Sequence, residues 1–220
     1  MYYTVVDPYK NYLLHHGIKG QKWGIRRFQN PDGTLTDAGR ERYRKLADSY
    51  KMGESNFYYR VNDLKEVKNF RKQNKESRNR LFDAQWDYDR AVDELNAAGN
   101  KYATKKAGAP LKKIIREDSV TSKLRMTAFM DACAEFLDSD KGEELLKQVV
   151  DKKGVYIRAS REYERLANNF VEKLLGDYGN TPLSGTITFD KKTNSMRENT
   201  LAEMMALEIL RDAQRGRIDF

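Results

Sequence analysis

The chain has 220 residues, a formal net charge of +8, a charged fraction of 34% and a hydrophobic fraction of 39%. Four prolines and fourteen glycines exclude a collagen-like or proline-rich chain, while thirteen tyrosines, nine phenylalanines and two tryptophans argue against wholesale disorder. One cysteine, Cys133, excludes an intramolecular disulfide and any cysteine-rich zinc module.

No stretch approaches the roughly 18 consecutive apolar residues of a membrane span, and the start lacks the apolar core of a secretory signal. The expected location is therefore a cytoplasm, or an assembly built in one. Charge is segregated along the chain. Residues 60–80 carry eight Lys/Arg against three Asp/Glu, residues 101–125 carry eight against two, and residues 126–151 carry two Lys against seven Asp/Glu. Such blocks fit solvated helix faces, a surface for a polyanion, or head-to-tail contact between copies.

In chain order, residues 1–14 are aromatic and β-prone around Asp7-Pro8 and read as a short strand or an arm. Residues 15–29 interleave glycine, cations and aromatics. Glycines at 17, 20 and 24 disfavour both helix and strand there, and Asn30-Pro31-Asp32-Gly33 is a turn. Thr36 is placed to cap a helix running to about Lys51, with Gly53 as its stop. Residues 55–107 read as one long helix or a helical hairpin. Its second half carries a seam of Leu81, Ala84, Tyr88, Ala91, Leu95, Ala98 and Tyr102 at heptad spacing, which closes within the chain or between copies. Gly108-Ala109-Pro110 breaks it.

Ser119 is the expected cap of a helix over 120–137, with Leu124, Phe129, Met130, Cys133, Phe136 and Leu137 as its apolar side. Asp140 and Glu143 resemble a capping box opening a short helix to about Gly154, followed by an amphipathic helix over 155–175. Thr186–Phe189 reads as a short strand whose partner is either Tyr2–Val6 or another chain. Thr200 and Glu203 form a second capping box for a last helix ending near Arg215. The expected fold is mainly α: an elongated helical bundle with a long helix or helical hairpin, an irregular N-terminal arm and a minor β element. The arm spans 1–35 and the helical body 36–220, with a sub-boundary near 108–118.

Catalytic chemistry finds little support. The adjacent His15 and His16 fall short of the three or four ligands that zinc needs. Cys133 lies in an apolar helical run, and no nucleophile elbow, phosphate loop or dinucleotide fingerprint is present. No metal, no cofactor and no enzymatic activity are expected. Gly17-x-x-Gly20 matches a nucleic-acid-clamping GxxG loop in spacing only.

The basic-aromatic run supports contact with a partner. Lys19, Lys22, Arg26 and Arg27 suit phosphates or acidic side chains, Trp23 and Phe28 offer stacking or anchoring surfaces, and Gly17, Gly20 and Gly24 admit close backbone approach. Docking on a protein and contact with nucleic acid both fit this composition. Lys65, Lys68, Arg71 and Lys72 in the first basic stretch, and Lys105, Lys106, Lys112 and Lys113 in the second, are the candidates for DNA phosphates.

The run from His15 to Tyr43, beginning His15-His16-Gly17-Ile18-Lys19-Gly20-Gln21-Lys22-Trp23-Gly24, resembles a block found in structural proteins of tailed phages and prophages of Firmicutes. In that family the block sits near a terminus of otherwise dissimilar virion-associated proteins, minor head proteins among them. The resemblance covers about an eighth of the chain. It implies a role in the phage particle or its assembly, in a virion or a host cytoplasm, and no particular reaction. A short block shared by varied bodies behaves as a docking tag, which makes Gly17, Lys19, Gly20, Lys22, Trp23, Gly24, Arg26, Arg27 and Phe28 the expected contacts to a capsid or portal-type protein. An early phage protein that binds DNA or inhibits a host defence enzyme is the other reading.

Overall fold

The computed structural model describes residues 28–30, 32–116, 120–190 and 193–216. The strand or arm expected at 1–14, most of the tag, and the Ser119 cap lie outside the described residues. The described chain is mainly α, with eight helices and one two-stranded sheet. It divides into two compact units. The first combines the described residues up to Gln73 with Glu164–Arg211, and the second combines Asn74–Tyr163 with the described residues from Asp212 onward.

The first unit opens with α1 (Asp37–Lys51), α2 (Glu54–Asp63) and α3 (Lys65–Gln73). Thr36 caps α1 as expected, its hydroxyl accepting the Gly39 N–H at 3.1 Å, and Gly53, at φ +115°, follows the end of the helix. The region expected to be one helix or a hairpin over 55–107 is three helices, α2, α3 and Lys75–Ala107, because Leu64 is extended between the first two and Asn74 leaves the helical conformation before the third. At 3.6 residues per turn, an unbroken helix would set Phe70 about 140° around the axis from Phe57. The break lets Phe57, Val61, Val67 and Phe70 all be buried.

They share the core of this unit with Tyr43, Val171, Leu175, Leu201, Met205 and Ile209. Phe70 stacks on Phe170 with centroids 4.6 Å apart. Each such side chain contributes about 1.5–3 kcal/mol by leaving water.

Strands β1 (Thr188–Asp190) and β2 (Ser195–Arg197) pair antiparallel, with Phe189 opposite Met196. The strand expected over 186–189 therefore starts two residues later and ends one later, and its partner is β2. Arg197 ties β2 to Glu203 and reaches Asp190 at 3.5 Å. The capping box at the next helix, α8 (Leu201–Arg215), forms as expected. The Thr200 N–H donates to Glu203 Oε2 at 2.8 Å, and the Glu203 N–H donates to Thr200 Oγ1 at 3.3 Å.

The second unit is built on α4 (Lys75–Ala107), which ends at Gly108 in a left-handed conformation. A short α5 (Leu111–Arg116) and α6 (Val120–Leu137) follow, then α7 (Asp140–Leu175), whose residues from Glu164 belong to the first unit. The Gly108–Pro110 turn joins two helices of this same unit.

Helix α6 runs antiparallel to the end of α4, with Ala103, Ala107, Ala109, Ile114, Phe129 and Ala132 forming a cluster between them and α5. The first part of α7 then continues antiparallel to the start of α4. Tyr88 stacks on Tyr156 with centroids 5.9 Å apart, Asp87 meets Lys152 at 2.7 Å, and Arg80 meets Glu162 at 3.0 Å. Seam residues Tyr88 and Tyr102 thus find ring partners within the chain, in Tyr156 and Phe136.

Two readings around α7 are corrected. Its cap is Ser139, whose hydroxyl accepts the Gly142 N–H at 3.2 Å, so Asp140 is already the first helical residue. The short helix expected to end near Gly154 and the helix over 155–175 are one helix of 36 residues. An interior glycine costs only about 1 kcal/mol, too little to stop a helix that is packed on both sides of it. The expected apolar side of α6 is also divided: Phe129 and Phe136 are buried, whereas Leu124, Met130 and Leu137 are exposed.

Candidate functional site

Of the tag's expected contact residues, Phe28 alone lies among those described; Gly17, Lys19, Gly20, Lys22, Trp23, Gly24, Arg26 and Arg27 lie outside them. Phe28 and the residues after it form a fixed attachment to the first unit. Asn30 and Thr34 close the turn through an N–H···O=C bond of 2.7 Å, and the Asp32 carboxylate accepts both the Thr34 N–H and its hydroxyl. Those two hydrogen bonds hold the Asp32 carboxyl below the usual carboxylate range. Gln29 pairs with Leu35 as an isolated bridge.

The Gln29 side-chain amide donates to the carbonyls of Lys173 and Leu174, at 2.9 and 3.0 Å. Those are among the last carbonyls of α7, which have no partner within their own helix. Gly39 is required at its position, because a Cβ there would drive into the Phe28 carbonyl.

An ion pair completes the attachment. The Arg42 guanidinium makes a two-pronged bond to Glu66, at 2.7 and 2.9 Å, and lies over the Phe28 ring at 4.4 Å. Burial raises the Glu66 carboxyl, but the hydrogen bonds from Arg42 and the backbone outweigh it, and the group titrates below its ordinary range. Tyr43, sealed beneath, is pushed well above its ordinary value, chiefly by burial. Residues 28–30 and 32–43 are accordingly a structural element with a defined seat.

The basic candidates fall into two separate groups. Lys65, Lys68, Arg71 and Lys72 are on α3; Lys68 pairs with Asp63 at 3.0 Å and Arg71 donates to Asn62. Lys105 and Lys106 end α4, and Lys112 and Lys113 are on α5. Lys106 is engaged by Glu135 at 3.1 Å and lies 5.6 Å from the Tyr102 ring centroid. Its hydrogen bond to Glu135 raises the Lys106 ammonium above its usual range, while hydrogen bonds from Tyr102 and Lys106 lower the Glu135 carboxyl.

Lys112 and Lys113 are exposed and, with Pro110 and Arg116, line an open hollow of about 320 Å3. Arg116 went unremarked in the sequence reading, although its spacing from Lys112 and Lys113 sets it on the same turn-and-a-half of helix. A second hollow lies in the first unit beside Arg44, Asp48, Tyr50 and Tyr178 and has about 150 Å3, below the size of common cofactor pockets.

No group of three or more His, Cys, Asp or Glu with metal-holding geometry occurs among the described residues; His15 and His16 lie outside them. Cys133 is partly buried, packed against the Phe129 and Ala132 cluster. No described helix is long and apolar enough to cross a membrane. In comparisons with protein-family models, curated proteins and solved structures, nothing matches the chain.

Proposed function

We propose that this chain is a non-enzymatic, virion-associated phage protein that docks on a capsid or portal-type partner through residues 15–28. The observation that carries this reading is the seat of Phe28 and Gln29. A peptide that engages a partner gains affinity when its root is fixed, because less freedom is lost on binding. Gln29 on the end of α7, and Phe28 beneath Arg42, supply such a root immediately after the basic-aromatic run.

The test combines mass spectrometry of purified particles with capture of the full chain's partners from infected-cell lysate. The protein is expected in the particle with a phage structural protein as its partner, and its absence from virions would overturn the reading. The double change Trp23→Ala with Arg26→Ala is expected to abolish capture while leaving the helical circular dichroism nearly unchanged.

A second reading rests on the hollow between Lys112, Lys113 and Arg116. Three cations around one concavity suit phosphates of packaged DNA, or of host DNA if the protein acts early in infection. Binding to duplex DNA with a steep salt dependence supports this reading; absence of binding near physiological salt, or binding unchanged by Lys112→Ala with Lys113→Ala, sinks it.

A further inference from the structure

Helix α7 presents two apolar faces within the second unit. Leu145, Val149, Tyr156, Ala159 and Tyr163 point inward, at partial to complete burial. About 140° away around the axis runs a second stripe: Glu143, Leu146, Val150, Gly154, Ile157 and Arg161, spaced by three or four residues, which places them on one side of a helix. Leu146, Val150 and Ile157 are 43%, 60% and 36% exposed. Neither Glu143 nor Arg161 has an ion-pair partner among the described residues. Gly154 costs helix stability, and among the described residues an added Cβ there would meet only the tip of Arg158, at 3.6 Å.

The order of this stripe is acid, apolar, apolar, glycine, apolar, base. Turned end for end about a point level with residue 152, it complements itself. Glu143 then faces Arg161 of the second copy, Val150 faces Gly154, and Leu146 lies beside Ile157. A two-fold contact demands this kind of self-complementarity, and the glycine lets two helix backbones approach where they cross. We propose that α7 forms an antiparallel contact with a second copy of this chain through this stripe, with two Glu143–Arg161 pairs closing its ends. The patch is short, so the dimer is of the weak, concentration-dependent class. It differs from the seam on α4, whose Tyr88 and Tyr102 are already engaged within the chain.

Sedimentation velocity of the full chain across a wide concentration range tests this. Wild type is expected to pass from monomer to dimer. Val150→Lys, at an exposed position, is expected to weaken association at least tenfold with unchanged circular dichroism. Glu143→Arg and Arg161→Glu are each expected to weaken it, and the two together to restore it, because exchanged charges still face each other only in the antiparallel register. A chain that stays monomeric at its highest attainable concentration overturns the proposal. So does a dimer indifferent to Val150→Lys, or one that the double charge exchange fails to rescue.

Discussion

The two units solve the problem of making a core from a charge-rich sequence in different ways. The first gathers large side chains from several short helices: Tyr43, Phe57, Val61, Val67, Leu201, Met205 and Ile209 are almost completely removed from water. Its ion pairs then lock the periphery, as Arg42 does with Glu66 and Arg197 with Glu203. The second unit fills much of its interior with alanine, at 84, 91, 103, 107, 109 and 132, and joins its helices by ring pairs, Tyr88 stacked on Tyr156 and Tyr102 tilted against Phe136. Meanwhile Trp86, Leu124, Met130 and Val150 remain outside at 60% exposure or more. The second unit nonetheless seals Leu81, Ile114, Phe129 and Tyr163 among those alanines, and the first leaves Met52, Ile187 and Met196 exposed in turn.

The contrast can be broken most strongly at Phe57. Phe57→Ala empties a sealed position and is expected to cost about 3–5 kcal/mol, read by chemical denaturation. At the seat of the tag, Gly39→Ala forces the Phe28 carbonyl away from α1 and is expected to cost about 1–3 kcal/mol. Hydrogen exchange at Asn30 and Thr36, whose N–H groups bond Thr34 and Phe28, should accelerate with it.

In the second unit, Leu95→Asp places a charge at a half-buried site and is expected to cost about 1–3 kcal/mol. Leu124→Asp, at a position 69% exposed, should move stability by no more than about 0.5 kcal/mol. Equal losses for these two leucines, measured by thermal melting, would erase the distinction between the faces.

The smallest effect is one of acidity. Because the Glu66 carboxyl titrates below its ordinary value of 4.5 when folded, its contribution is complete above that value and is lost as pH falls through the lower folded one. Glu66→Gln should therefore flatten the acid side of the stability profile and leave its slope near neutrality unchanged.

Much of this fold was legible wherever a local signal settles a local choice. Thr36 and the Thr200–Glu203 box cap their helices through bonds spanning three residues, and Gly53 and Gly108 follow helix ends with positive φ. What stayed hidden depends on distant packing. Nothing around Leu64 marks a break, since the break exists to bring Phe70 back to the core that holds Phe57. Gly154 looked like a stop, yet its helix is carried through by burial on either side. The basic stretches were visible as counts, but Glu135 engages Lys106 from 29 residues away, beyond the reach of any local charge tally. Gln29 gave no hint that its amide would complete a helix more than a hundred residues downstream. The free face of α7 lay in plain view as Leu146, Val150 and Ile157, masked because the inward face of the same helix carries the stronger periodicity.

The seat of Gln29 and Phe28 also fixes what would have to travel with residues 15–28 in a transplant. A graft of residues 15–28 alone would leave behind the turn, Gly39 and Arg42, and so lose its root. A graft of 15–43 would bring these along but still need two things from its host: a helix end with open carbonyls where Lys173 and Leu174 stand, and a carboxylate in the place of Glu66. The seat of Phe28 and Gln29 is thus shared between neighbours in sequence and partners more than a hundred residues away.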